Sequence, residues 1–329
     1  MSSRPRLAAT MLGAVLGLQA ASACAEDAHG PRMQVGLLGT SPRSVAEDAL
    51  GLLAFSVIPD GTASALQINR SDTGQDVGVT LGQLGAGFTV SKEMPLYLEG
   101  YLGYARYDPR FVFSDGEEAR QVPTRWNQIS VTVGAGWDIA LSDRLYLRPI
   151  VNAAGAHVTT DLALAGALVN LRRERDFDFL SRGRLNAWGL GGSLVLAWYD
   201  HRPQREVDVE LRGTRLHLAT FDDTSVAIRS TMEATTVSLW ARLRVPTGYE
   251  AFGRPVRWVL EAQHSHFIGA QRSALGFEFL TKLGAGLELD LGKLEVGAFG
   301  LTAQRLRWVG RYVFGENVSG FSVGLGLSF

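Results

Sequence analysis

The stretch from Ile129 to Leu141 reads ISVTVGAGWDIAL. Ile129, Val131, Val133, Ala135, Trp137, Ile139 and Leu141 fall on one side of an extended chain. Ser130, Thr132, Gly134, Gly136, Asp138 and Ala140 fall on the other. Alternation with a period of two marks a β-strand with two unlike faces. The run is longer than the soluble average of about 5–6 residues and suits a membrane strand, which needs about 9–11. Leu283 to Leu291 repeats the pattern, and so does Phe321 to Phe329. The second face of each run is glycine, serine and threonine with scattered charge, as on a wet barrel lumen.

Extended outward from these runs, the same period predicts strands near 62–70, 76–90, 96–109, 126–141, 145–160, 184–199, 205–219, 226–245, 256–270, 274–291, 294–309 and 318–329. That is an all-β chain of about twelve antiparallel strands, an even number as bacterial outer-membrane barrels have. The barrel must close, because an open edge in hydrocarbon leaves backbone groups unpaired. Links at 91–95, 142–144, 200–204 and 292–293 are short. Links at 110–125 and 161–183 are long and polar, and 246–255 is the least tidy of the short set. Short periplasmic turns alternating with long outer loops give that pattern. Trp137, Trp198 and Trp258 lie beside short turns and Trp126, Trp188 and Trp308 toward long loops, as two interfacial girdles, while Trp240 takes the inward register.

Composition narrows the alternatives. Glycine is enriched, at 38 of 329 residues, without a collagen period. Thirty-two basic against 33 acidic residues gives no basic face, so no nucleic-acid partner is expected. The single cysteine excludes a disulfide scaffold and a cysteine zinc site. A mean hydropathy of +0.05 is too low for a bundle of membrane helices.

The start of the chain is an address. Arg4 and Arg6 precede the apolar run Leu7 to Leu18, then Ala23-Cys24-Ala25 and Glu26 follow. A charged region, a short apolar region and a small-residue cleavage site in that order predict a signal peptide, residues 1–25. The rival, lipidation at Cys24, wants a large aliphatic residue where Ala21 stands. Residues 26–61 are linker and a short helix: Ser44-Val45-Ala46-Glu47 matches a capping box, and Val45, Ala46, Ala49, Leu50 and Leu53 recur at helical spacing. Pro59-Asp60-Gly61 ends it. Placed just before a Gly-rich barrel at 62–329, this helix is expected to plug the lumen; the alternative is a helix lying outside, in the periplasm.

The inward register carries mixed charge: Glu99, Asp138, Arg148, Asp208, Glu210, Arg212, Arg242, Arg244, Arg257, Glu261, Glu278, Lys282, Glu288 and Glu295. On the lipid face an Arg or Lys costs about 2–4 kcal/mol at the midplane. Because the signs are mixed rather than forming a one-sign ring, charges that brace the barrel are favoured over a selective pore. Enzyme signatures fail. In Gln263-His264-Ser265-His266 alternation separates both histidines from the serine, so no histidine-activated serine forms. Gly286 and Gly292-Lys293 miss phosphate-loop spacing. Asp208 and Glu210 share a face, which strand spacing makes common. No catalytic residue, metal or cofactor is expected.

Twelve strands, an upstream helix and the final strand Phe321, Val323, Leu325, Leu327, Phe329 together resemble the translocator domain of autotransporters. Among these the chain is most similar to solitary outer-membrane autotransporter-like β-barrels, which carry no passenger; only residues 26–61 stand where a passenger would. The resemblance implies a bacterial outer-membrane location, a lipid bilayer around the barrel, and recognition of the terminal strand by the barrel assembly machinery. It implies no established activity. The expected role is structural or surface-interacting, through a loop ligand the sequence does not name. A passive or gated, porin-like channel for small solutes is the alternative, and a lipid-modifying enzyme centred on His264 and His266 is the third reading.

Overall fold

The structure is a computed structural model, and it describes residues 34–36, 50–51, 53–55, 64–70, 79–107, 110–114, 119–123, 126–160, 184–221, 230–294, 303–316 and 318–328. The expected cleavage site, Cys24, Ser44–Glu47, Glu295 and loop 161–183 lie outside these residues. Among the described residues, twelve longer strands form the main sheet, to which Ile139–Ala140 adds a two-residue thirteenth. They are β1 (Ser64–Arg70), β2 (Val79–Thr89), β3 (Leu96–Tyr107), β4 (Trp126–Trp137), β5 (Leu145–Thr160), β6 (Arg184–Arg202), β7 (Arg205–Phe221), β8 (Thr231–Ala251), β9 (Arg254–Ile268), β10 (Phe279–Leu294), β11 (Ala303–Gly315) and β12 (Val318–Ser328). Each is antiparallel to both neighbours. The ring closes where β12 meets β1, Val318 opposite Arg70 and Gly324 opposite Ser64. This is the antiparallel barrel of about twelve strands that the alternation predicts.

The two faces separate as the period of two requires. Leu190, Leu194, Val131, Val133, Leu260, Leu283, Val323 and Leu325 are exposed on the outside, where a bilayer covers them. Burial of the alternate positions places the interior on the other face. Both ends of the barrel sequence, β1 at Ser64 and β12 at Ser328, lie with the short turns.

Several boundaries differ from the sequence expectation. Residues 274–275, expected in a strand, belong to the helix α1 (Ala270–Leu275). Its residues are good helix formers bracketed by Gly269 and Gly276, and the Gly276 N–H closes the last turn on the Arg272 carbonyl. The strand expected at 294–309 runs instead from Ala303 to Gly315, and β10 continues through Gly292-Lys293 to Leu294. The untidy 246–255 link is a continuation of β8 and β9 past a register shift between Pro246 and Glu250, closed by a turn at Phe252-Gly253. The expected separation of Trp258 from Trp308 fails. Both pair with Leu287, so one cross-strand row holds all three.

The long link after β3 carries structure too. Arg110–Ser114 pairs with Ala119–Pro123, and Gln34–Gly36 adds a parallel strand, Val35 opposite Phe111. A segment expected to be helix and linker therefore also holds a short strand, at the long-loop end. Helical residues at 50–51 and 53–55 follow. Leu50, Leu53 and Ala54 are buried. Phe55 meets Phe267 and Phe277 edge-on, with ring centres 5.7 and 6.3 Å away. Those rings share a cluster with Leu81, Ala105, Leu280, Val313 and Val318, inward-register positions at the long-loop ends of their strands. These described residues thus lie inside that end of the barrel. Gly51 approaches Ala274 so closely that a Cβ there would sit 2.2 Å from the alanine methyl.

Candidate functional site

Below this apolar cluster the lumen is crossed by charge. Glu99 on β3 is buried and faces Arg212 on β7, four strands round the ring. Arg212 Nη1 donates to Oε2 at 2.9 Å and Nη2 to Oε1 at 2.7 Å. Asn152 on β5 donates to the same carboxylate at 2.7 Å, and Ser193 on β6 donates to Asn152 at 2.7 Å. Ser193 also meets Thr214 at 2.9 Å. The chain of bonds passes over Gly134 on β4, where a Cβ would lie 2.5 Å from the Asn152 amide and 2.7 Å from Glu99. Glycine stands there because side chains from both neighbouring strands occupy its inner surface.

A second group lies toward the short-turn end. Asp208 on β7 accepts from Arg242 at 2.7 Å and from Arg244 at 2.8 Å. Its other oxygen lies 2.6 Å from His201. Glu206 takes Arg244 at 3.1 Å, Arg305 at 2.6 Å, and Arg257. Arg311 on β11 donates through Nε to Glu261 at 3.0 Å, and Arg307 approaches Glu288 at 3.5 Å. The Arg311 guanidinium lies flat over β12, where a Cβ on Gly324 would be 2.4 Å from Nη1. Asp208, Glu261 and Glu288 keep 5% or less of their surface exposed. A lumen filled with water along its length would leave such inward carboxylates wet.

Buried ion pairs of this kind add little net stability, because desolvation offsets attraction. Losing one partner leaves a charge stranded and costs far more. Their geometric effect is larger than their energetic one: strands β3 to β7 and β7 to β11 are tied across the interior. Arg148 is held by Asp138 on one side, and its guanidinium lies 3.9 Å from the centre of the Tyr97 ring. Tyr199 donates to Glu210 at 2.6 Å.

The structure thus places Glu99, Arg148, Asp208, Glu210, Arg212, Arg242, Arg244 and Glu288 on the inner face, divided among these bonded groups, with Lys282 buried on the same face. Glu278 is apart. It follows α1 and pairs with Arg272 at 2.7 Å and His266 at 3.4 Å. Four members escaped the sequence reading: Glu206, Arg305, Arg307 and Arg311. Leu306 and Trp308 alternate with Arg305 and Arg307, and that local period was the available signal. His264 is exposed on the outside, 2.9 Å from Thr281 and beside Phe279, while Ser265 points inward to Ser238 at 3.0 Å. In the terminal strand, Phe321, Val323 and Leu325 are exposed on the outside, and Leu327 pairs with Leu306. Phe329 lies outside the described residues.

The family model of the autotransporter β-domain matches residues 60–172, roughly a third of the chain. Three solved structures are similar. The β-domain of the Bordetella autotransporter BrkA is 17% identical, with a TM-score of 0.42, covering 82% of this chain and 100% of that one. The translocator domain of NalP from Neisseria meningitidis is 13% identical, TM-score 0.43, over 88% and 98%. The transport unit of AIDA-I from Escherichia coli is 12% identical, TM-score 0.45, over 88% and 100%. No curated protein matches the chain.

Proposed function

We propose that this bacterial outer-membrane barrel, which matches the autotransporter β-domain over residues 60–172, works with its lumen shut and serves a structural or surface-interacting role. The observation that carries this is the seat of Phe55 among Phe267, Phe277 and the inward cluster at the long-loop end. A buried apolar contact at that mouth opposes water entry, and the ion pairs beneath it fill the section below. Mixed charge on both walls supports bracing rather than selection of one ion sign. With the interior occupied, the long links 110–125 and 161–183 are the surfaces left for a partner, as loops on a rigid scaffold usually provide.

The test is the conductance of the refolded chain in a planar bilayer, with and without residues 26–61. The intact chain should stay near baseline, and the shortened chain should show openings. Steady conductance from the intact chain overturns the proposal and makes a channel for small solutes the working function.

A further inference from the structure

At the short-turn end, the outward face of β6 changes from lipid-facing apolar residues to charge within a few positions. Leu194 and Leu196 are exposed on the outside, and Trp198 and Asp200 follow in the same register. The Asp200 side chain is 2% exposed because three arginines enclose it. Arg144, in the turn before β5, lies 3.1 Å from it, Arg202 2.9 Å and Arg205 3.9 Å. Each arginine side chain remains about half exposed, at 52%, 49% and 54%. Arg202 and Arg205 stand directly opposite each other across the hairpin. Like charges in that position repel, and one carboxylate is shared by three guanidinium groups. Asp143, beside Arg144, still leaves the group positive.

We propose that Arg144, Arg202 and Arg205 form a binding site for the phosphate of an anionic phospholipid in the periplasmic leaflet. Three features support this occupant. The arginines border the apolar outer face directly below Trp198, at the depth where headgroups meet a barrel. Their planar donors suit a phosphate oxygen pair. Asp200 orients them while neutralising one charge, which leaves a positive surplus for an external anion. The site does not depend on whether the lumen is open.

The test reads lipid retention. The refolded protein is placed in nanodiscs of equal phosphatidylglycerol and phosphatidylcholine, and lipids still bound after gentle release are identified by native mass spectrometry. Phosphatidylglycerol should be enriched by about tenfold over phosphatidylcholine. Replacing Arg144, Arg202 and Arg205 together by glutamine should abolish the enrichment. Arg215→Gln, outward on the same strand as Arg205 but toward the other end, should keep it. An enrichment unchanged in the triple variant overturns the proposal. So does the absence of phosphatidylglycerol enrichment when the native chain retains inorganic phosphate in a phosphatidylcholine nanodisc, which would mark a free-anion site. If the triple variant does not fold, Arg205→Gln and Arg202→Lys are compared. The first should lower retention more than the second, and equal retention in both counts against the site.

Discussion

Arg212 meets Glu99 as two parallel hydrogen bonds, 2.9 and 2.7 Å long, although β7 and β3 are four strands apart round the barrel. The pair works as a strut across the interior. Removing either partner alone strands a buried charge, whereas removing both does not. Glu99→Gln or Arg212→Met should each lower stability by about 3–5 kcal/mol, and the double variant should lose less than the sum of the two. Urea unfolding of the refolded barrel, followed by tryptophan emission, reads the difference. Additive losses would mean that the strut is not a coupled unit.

Gly324 is a seat for the Arg311 guanidinium. Gly324→Val should push Arg311 off Glu261 and cost about 1–3 kcal/mol, in the range of overpacked interiors. In an Arg311→Ala background the same change should cost clearly less, since the crowded atoms are gone. Equal costs in the two backgrounds would place the strain elsewhere.

Phe55 packs edge-on against Phe267 and Phe277 at the long-loop end, and the proposed seal rests on that contact. Phe55→Ala should reduce stability by about 2 kcal/mol, below the range for a fully buried phenylalanine because its ring is only partly buried. The same variant should show brief conductance steps in a planar bilayer and faster amide exchange in α1. Silence together with unchanged exchange would leave Phe55 without a sealing role.

Val133 faces outward near the middle of β4. Val133→Arg should cost about 2–4 kcal/mol in a bilayer, whereas the charge would be tolerated in a water-facing wall. Refolding yield into vesicles reads the cost, with Val133→Thr as an uncharged control. A yield for Val133→Arg equal to the control's would contradict the lipid-facing assignment.

His264 touches Thr281 and Phe279 on the outer face, and the nearest serine in sequence points the other way. His264→Ala should leave stability within about 0.5 kcal/mol, as surface changes usually do. Lipid chains in vesicles carrying outer-membrane glycolipid should stay intact with both the native chain and the variant. Release of fatty acid by the native chain alone would revive a lipid-modifying activity.

The barrel is written in the order of residues alone. Alternation from Ile129 to Leu141 encodes two faces, and runs longer than the soluble average of about 5–6 residues, repeated along the chain, suit a bilayer wall. It also marked Glu99, Asp208 and Arg212 as inward, because in-or-out is a local property of position parity. What it left undecided is relative placement. No local period records that Glu99 meets Arg212, that Trp258 and Trp308 share a row, or that Gly134 and Gly324 lie beneath other strands' side chains. Those relationships depend on register and on the curvature that brings distant strands face to face. The helix at Ala270–Leu275 and the strand at Gln34–Gly36 were hidden for a related reason. Each is short, and its conformation is set by what it packs or pairs against: the inner cluster in one case, a loop strand in the other. The ring contact of Phe55 is likewise set by tertiary packing. A phenylalanine after a helix has no direction until the barrel around it supplies Phe267 and Phe277.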